Sequence, residues 1–217
     1  MKPLVIVVAV KKEAEALREV NGIEVITTGI GAVNASSSIT ERIFTGTKPA
    51  VIINLGLGGI LPFNNLKIGD VVVAEKSVYY EEGIQMPSGW KPLNSIGFNL
   101  LSNKEDGNTF YPSNDLFESI KGIKFPSKKV NFGGIATVST ISGTDMHAQS
   151  VQSRTNCVAE AMEGAAVIHV ANKNNIPAIE IRVMSNTTGN RDDQIWDLQK
   201  SLKTMSDVAN ALVKILM

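Results

Sequence analysis

The chain has 217 residues, 21 Lys+Arg against 21 Asp+Glu, 43% hydrophobic residues and a single cysteine. Balanced charge gives no electrostatic reason to expect nucleic acid or an anionic membrane as partner, and leaves a small neutral ligand open. No segment approaches the roughly 20 apolar residues that cross a bilayer. A lone Cys157 excludes an internal disulfide and leaves no Cys/His cluster for zinc, so a soluble protein of a reducing cytoplasm is expected.

The first element, within MKPLVIVVAVKKEAEAL, has a short apolar run, but KKE stands where a signal peptide would carry its small-residue cleavage site. Leu4 to Val10 therefore reads as a buried strand. Similar continuous runs recur in VIINL and VVVA, and such runs mark strands covered on both faces of a largely parallel sheet. Helical patterns fall at 11–20, at 33–44 with a cap near Asn34, at 163–174 and at about 196–216. The alternation of elements argues for one α/β domain. From Glu81 to Lys129 the pattern weakens into a stretch rich in Gly, Pro, Asn and Ser, expected to be an irregular excursion and not a second domain.

Glycines cluster in TGIGAVNASSS (Thr28 to Ser38) and NLGLGGILP (Asn54 to Pro62), each after a strand, where backbone N–H groups can approach a ligand or where a strand packs tightly on a helix. The first stretch nearly matches a dinucleotide fingerprint. It fails at the third glycine, where Asn34 stands, and no acidic residue ends VIINL to hold a ribose, so no NAD or other cofactor is expected. Glu13 lies just past the first strand, where ligands of open parallel sheets collect; the alternative is a solvated charge at a helix start.

VAEAMEGAAVIHV reads as a strand end followed by a helix, with Glu163 at the junction among small or apolar residues, so its carboxylate requires a partner. PAIEIRVMSN alternates Glu180 and Arg182 with Ile179, Ile181 and Val183, which is either a structural ion pair or an arginine aimed into a cleft at the strand end. His169, on the apolar helix, reads as a core histidine. With no Ser/His/Asp order, P-loop or metal-ligand spacing, carboxylates and one amide are the chemical inventory. Breaking a C–N bond to a nucleobase suits it. One carboxylate holds the sugar hydroxyls, a second orients water and a polar side chain stabilises the departing base. Glu163, Glu13 and Asn186 fit those three jobs.

Taken together and in order, AVKKEAEAL, TGIGAVNA, VIINLGLGGIL, IGDVVVAE, MEGAA and IRVMSN resemble successive segments of the nucleoside phosphorylase/nucleosidase superfamily. The resemblance spans most of the chain and implies one nucleoside phosphorylase-like domain over 1–217, with a mixed, mostly parallel central sheet flanked by helices. It implies no metal and a homo-oligomer, a dimer or multiple of dimers, whose neighbouring subunit helps close the pocket. On it, Glu13 orients the nucleophilic water, Met162 and Glu163 hold the ribose, Asn186 lies on the base side, and Arg182, Gly58 and Thr140 join the substrate site. Ala161 and Leu57 occupy positions that are polar in the methylthioadenosine-cleaving members.

Within the superfamily, YEEGIQMPSGWKPL and SNTTGNRDDQIWDL resemble the futalosine-hydrolysing subgroup more than the adenine-specific one. That subgroup removes hypoxanthine from a nucleoside bearing a benzoate-containing 5′ group, in an alternative menaquinone pathway. Lys91, Arg191 and Trp196 are candidates to meet the substrate's carboxylate. A phosphorylase is the nearest rival, but phosphate needs cationic or backbone donors and meets the charge of Glu13 in AVKKEAE. A non-catalytic nucleoside-binding protein would have no use for a water-orienting glutamate.

Overall fold

The computed structural model describes residues 3–101, 107–122 and 129–217. Strand β1 (Leu4–Val8) is buried at every position because it lies between β2 (Ile23–Thr27) and β3 (Val51–Ile60), parallel to both, with helices over each face. Successive side chains of a strand point to opposite faces. Leu4, Ile6 and Val8 accordingly join Met205, Val208 and Leu212 of helix α6 (Leu198–Leu216), while Val5 and Val7 join Ala35 and Ile39 of α2 (Ala32–Thr45) and the apolar helix α5 (Gly164–Lys173). The buried positions of α2, Ala35, Ile39 and Ile43, recur every four residues and form one stripe.

Beyond β3 the sheet closes on itself. Strand β10 (Ala178–Thr187) pairs parallel with β3 and antiparallel with β4 (Val71–Tyr79); β4 pairs with β8 (Val130–Thr137), β8 with β9 (Ala159–Ala161), and β9 returns to β3. Parallel pairings outnumber antiparallel ones, so the sheet is mixed and mostly parallel, flanked by helices, as the resemblance implies. The short β9 places the MEG segment beside the C-terminal ends of β1 and β3.

Helix α1 (Lys11–Ala16) ends earlier than the pattern over 11–20 predicts. The N–H groups of Leu17 and Arg18 turn to carbonyls three residues back, at 3.0 and 3.3 Å, which tightens the chain into a turn that buries Leu17 and Val20. The excursion after β4 is more ordered than expected. Its described part holds a hairpin of β5 (Gly83–Met86) and β6 (Gly89–Pro92), a short β7 (Thr109–Phe110) on β4, and helix α3 (Asn114–Lys121); its remaining residues lie outside the described ones. Helix α4 (Asp145–Thr155) also joins the predicted set, capped by the Thr144 hydroxyl, which accepts from His147 N–H. No helix among the described residues is long and apolar enough to cross a membrane.

Candidate active site

The alternation in β10 separates its side chains by chemistry. Ile179, Ile181 and Val183 enter the core under α6, whereas Glu180 and Arg182 face the other way and are buried. The Arg182 guanidinium, 1% exposed, donates through Nε to Glu180 Oε1 at 2.8 Å and through Nη2 to Asn54 Oδ1, and Nη2 also lies 3.3 Å from Glu163 Oε2. The second Glu180 oxygen accepts from the Ser77 hydroxyl. Burial pushes the Glu180 carboxyl up from its ordinary value, opposed by Arg182 and Ser77. Burial also works against the Arg182 charge, but Glu180, Glu163 and Glu13 outweigh it and hold the guanidinium above its ordinary range. The structural reading of the Glu–Arg alternation is what the geometry shows: the arginine is paired in its own strand and also reaches a second carboxylate of the chain.

The glycine of MEG has a steric cause. Helix α5 begins so close to β10 that a Cβ at position 164 would lie 1.9 Å from Glu180 Cδ, which no side chain tolerates.

Glu13 is 4% exposed and no solvated helix-start charge. Its Oε2 accepts from the N–H groups of Ala9 and Val10 at 2.8 and 3.1 Å, and its Oε1 from Leu57 N–H at 2.9 Å. Those donors, one strand end and the adjacent β3, fix the carboxylate with respect to the sheet. Glu163 is equally buried; Oε1 accepts from Gly31 N–H at 3.0 Å while Oε2 faces Arg182. The partner that its position demands is therefore double, a guanidinium and a backbone N–H from the first glycine cluster.

Asn186 follows a β-bulge. Met184 registers with Gly58 and Asn186 with Gly59, leaving Ser185 as the extra residue that re-aims the strand end. The Asn186 Oδ1 accepts from Ser185 Oγ at 2.8 Å and Nδ2 donates to Thr187 carbonyl at 2.9 Å. An amide has four hydrogen-bonding positions, so one N–H and one lone pair remain for a ligand.

Glu13, Gly58, Met162, Glu163, Arg182 and Asn186 share the wall of one cavity of about 270 Å³. Thr140 does not line it, contrary to expectation. That residue is exposed on the loop after β8, its carbonyl 3.2 Å from His147 Nε2, and the loop instead turns Ile141 and Ser142 inward. Arg191 and Trp196 do line the cavity, the guanidinium 4.8 Å above the indole ring, whereas Lys91 lies on the β5–β6 hairpin outside it. His169 packs outside it too, stacked at 4.5 Å on Phe110.

One acidic residue of the wall escaped the sequence reading. Glu160, 5% exposed, accepts from Ser142 N–H at 2.8 Å and from Ser142 Oγ at 2.6 Å. Burial pushes its carboxyl up against those bonds. The signal was present as an acid between alanines in VAEA, but three strand residues are too few to display an alternation.

Buried carboxylates thus gather around one guanidinium at the strand ends of a closed mixed sheet, with no cysteine on the cavity wall. The chain belongs to the phosphorylase superfamily, whose family model matches residues 19–216. It is 34% identical to futalosine hydrolase of Acidothermus cellulolyticus over 147 residues, which are 67% of this chain and 57% of that protein. It is 25% identical to 5′-methylthioadenosine/S-adenosylhomocysteine nucleosidase of Desulfotalea psychrophila over 203 residues, 90% of this chain and 82% of that one. The fold matches that of Helicobacter pylori futalosine hydrolase with a TM-score of 0.79 at 19% identity, covering 98% of this chain and 97% of the other.

Proposed function

We propose that the protein hydrolyses the N-glycosidic bond of futalosine and releases hypoxanthine. The observation that carries the reading is the anchoring of Glu13, a carboxylate held by three backbone N–H groups at the cavity wall, close to a second anchored carboxylate, Glu163. In this reading Met162 packs against the sugar and Glu163 accepts its hydroxyls. Glu13 orients a water and takes its proton as the C–N bond lengthens and the ribosyl group gathers positive charge. Asn186 donates to O6, over which the departing base spreads the electron pair of the broken C–N bond, and accepts from N7–H once N7 has taken a proton from solvent.

Hydrolysis is favoured over phosphorolysis because the cavity offers phosphate little. Arg182 is committed to Glu180, Asn54 and Glu163, Arg191 lies over Trp196, and Lys11 and Lys12 are exposed outside the cavity wall. The choice of futalosine over a 6-amino nucleoside rests on Asn186 and on similarity to the futalosine-hydrolysing relatives. A homo-oligomer belongs to the same proposal, since Ile30 and Ile141, 55% and 51% exposed, stand at the cavity where a second copy would cover them.

The test is incubation with futalosine, methylthioadenosine and inosine, with and without phosphate, followed by separation of the bases. Hypoxanthine from futalosine, independent of phosphate, is the expected result. Base release that requires phosphate, or adenine from methylthioadenosine as the main product, would overturn it.

A further inference from the structure

The role of Glu160 goes unexplained by the mechanism above, although its burial is as complete as that of Glu13 or Glu163. Its place follows from the sheet. Glu160 pairs across to Gly59, and Gly59 pairs on its other side with Asn186, so the three form one row over β9, β3 and β10. Residue 59 has no side chain, and a Cβ there would lie 2.8 Å from Thr188 Cγ2, 3.2 Å from Asn186 Nδ2 and 3.4 Å from Glu160 Cγ. The acid and the amide therefore converge over Gly59 from either side, and both line the cavity wall.

Hydrogen-bond capacity gives the second half of the argument. A carboxylate offers about four lone-pair positions, and Ser142 fills one on each oxygen. Glu163 and Glu180 share Arg182, whereas Glu160 has no salt-bridge partner among the described residues. Ser142 is itself held, because Gln194 Nε2 donates to its carbonyl at 2.8 Å. What remains is a buried carboxyl oriented by Ser142, in the same row as Asn186, with a lone-pair position still open on each oxygen.

A 6-oxopurine supplies that donor. Its N1 carries a proton next to O6, whereas a 6-aminopurine presents a lone pair at N1 and amino protons at position 6. We infer that Glu160 is a specificity-determining residue, its carboxylate accepting the N1–H of a 6-oxopurine while Asn186 pairs with O6 and N7 and Ser142 positions the acid. The inference rests on the proposed cleavage of a 6-oxopurine nucleoside and names how that site rejects the 6-amino counterpart: the carboxylate faces the N1 lone pair and is left without a donor.

The experiment measures binding of hypoxanthine, its 1-deaza analogue and adenine to the unmodified protein and to Glu160→Gln by calorimetry, alongside futalosine hydrolysis by both. Unmodified protein binds hypoxanthine about tenfold or more tightly than the 1-deaza analogue, as expected for one bond to a charged group. In Glu160→Gln the amide can donate to N1 of adenine, so the hypoxanthine-to-adenine preference narrows by about tenfold or more. Equal affinity of the unmodified protein for hypoxanthine and the 1-deaza analogue overturns the role of Glu160, however the variant folds. An unchanged preference in a folded Glu160→Gln that still hydrolyses futalosine does the same while leaving the proposed function intact. Failure of the unmodified protein to cleave futalosine at all counts against that function instead.

Discussion

The two ends of the cavity are built on opposite electrostatic plans. At the end proposed for the sugar, Glu13, Glu163 and Glu180 all act on one buried guanidinium, Arg182. At the end proposed for the base, Glu160 takes its hydrogen bonds from Ser142 and has no salt bridge among the described residues, and Asn186, in the same row, is neutral. The contrast matches what each half of a nucleoside requires as its glycosidic bond breaks. A ribosyl group turning cationic is stabilised by fixed negative charge, and an arginine behind the carboxylates holds them in place by pairing with them. A neutral base is distinguished by donors and acceptors, for which a single oriented acid and an amide suffice.

The comparison breaks most visibly at Glu13. Glu13→Gln keeps the side-chain shape and removes the base, so hydrolysis falls about 10²–10⁴-fold while nucleoside affinity is retained. Single-turnover kinetics beside a binding titration separate the two effects, and near-wild-type turnover would take Glu13 out of the mechanism.

Arg182→Met strands buried carboxylates without their cation and costs about 3–5 kcal/mol, read as a fall in the urea midpoint. Adding Glu180→Gln restores part of the loss. A single variant with an unshifted midpoint would show that the sugar end does not depend on the guanidinium.

At the base end the expected effects are on preference and not on folding. Asn186→Asp places a charge opposite O6 and shifts the ratio of kcat/KM for futalosine over its 6-amino counterpart towards the latter by about tenfold. An unchanged ratio would mean that Asn186 does not read position 6.

The smallest effect comes from an ion pair outside both ends. Arg42 Nη2 lies 2.7 Å from a Glu24 oxygen and holds that carboxyl below its ordinary value. A depressed carboxyl stabilises the fold above the unfolded pKa and loses that contribution as pH falls through the folded pKa. Partial exposure limits it to about 1 kcal/mol or less. Melting temperatures of wild type and Glu24→Gln should differ slightly at neutral pH and converge in acid; a gap that widens in acid would contradict the pairing.

Legibility in the sequence followed the length and purity of each pattern. Strands β1, β3 and β4 were visible as continuous apolar runs, and β10 by its alternation. In contrast β8 is diluted by Gly133 and Gly134, β9 is three residues long, and α4 buries only Ala148, Val151 and Thr155 on a polar helix. Among the wall residues, Glu13, Glu163 and Asn186 stood out because each stands near the end of a recognisable strand or at the start of a helix. Glu160 sat in a strand too short to show its face. The inward turn at Ile141 and Ser142, one residue beyond Thr140, depends on a loop path that no periodicity encodes. Asn54 was hidden inside VIINL, since its partners Arg182 and the Val7 carbonyl lie on other strands.

The most direct test of the account is kcat/KM of the unmodified protein for futalosine and for its 6-amino counterpart, measured side by side in phosphate-free buffer. If the sugar end drives hydrolysis and the base end reads a 6-oxopurine, both water-dependent cleavage and a preference for futalosine of about tenfold or more will be seen. Equal rates on the two nucleosides, or a preference for the 6-amino compound, would contradict it.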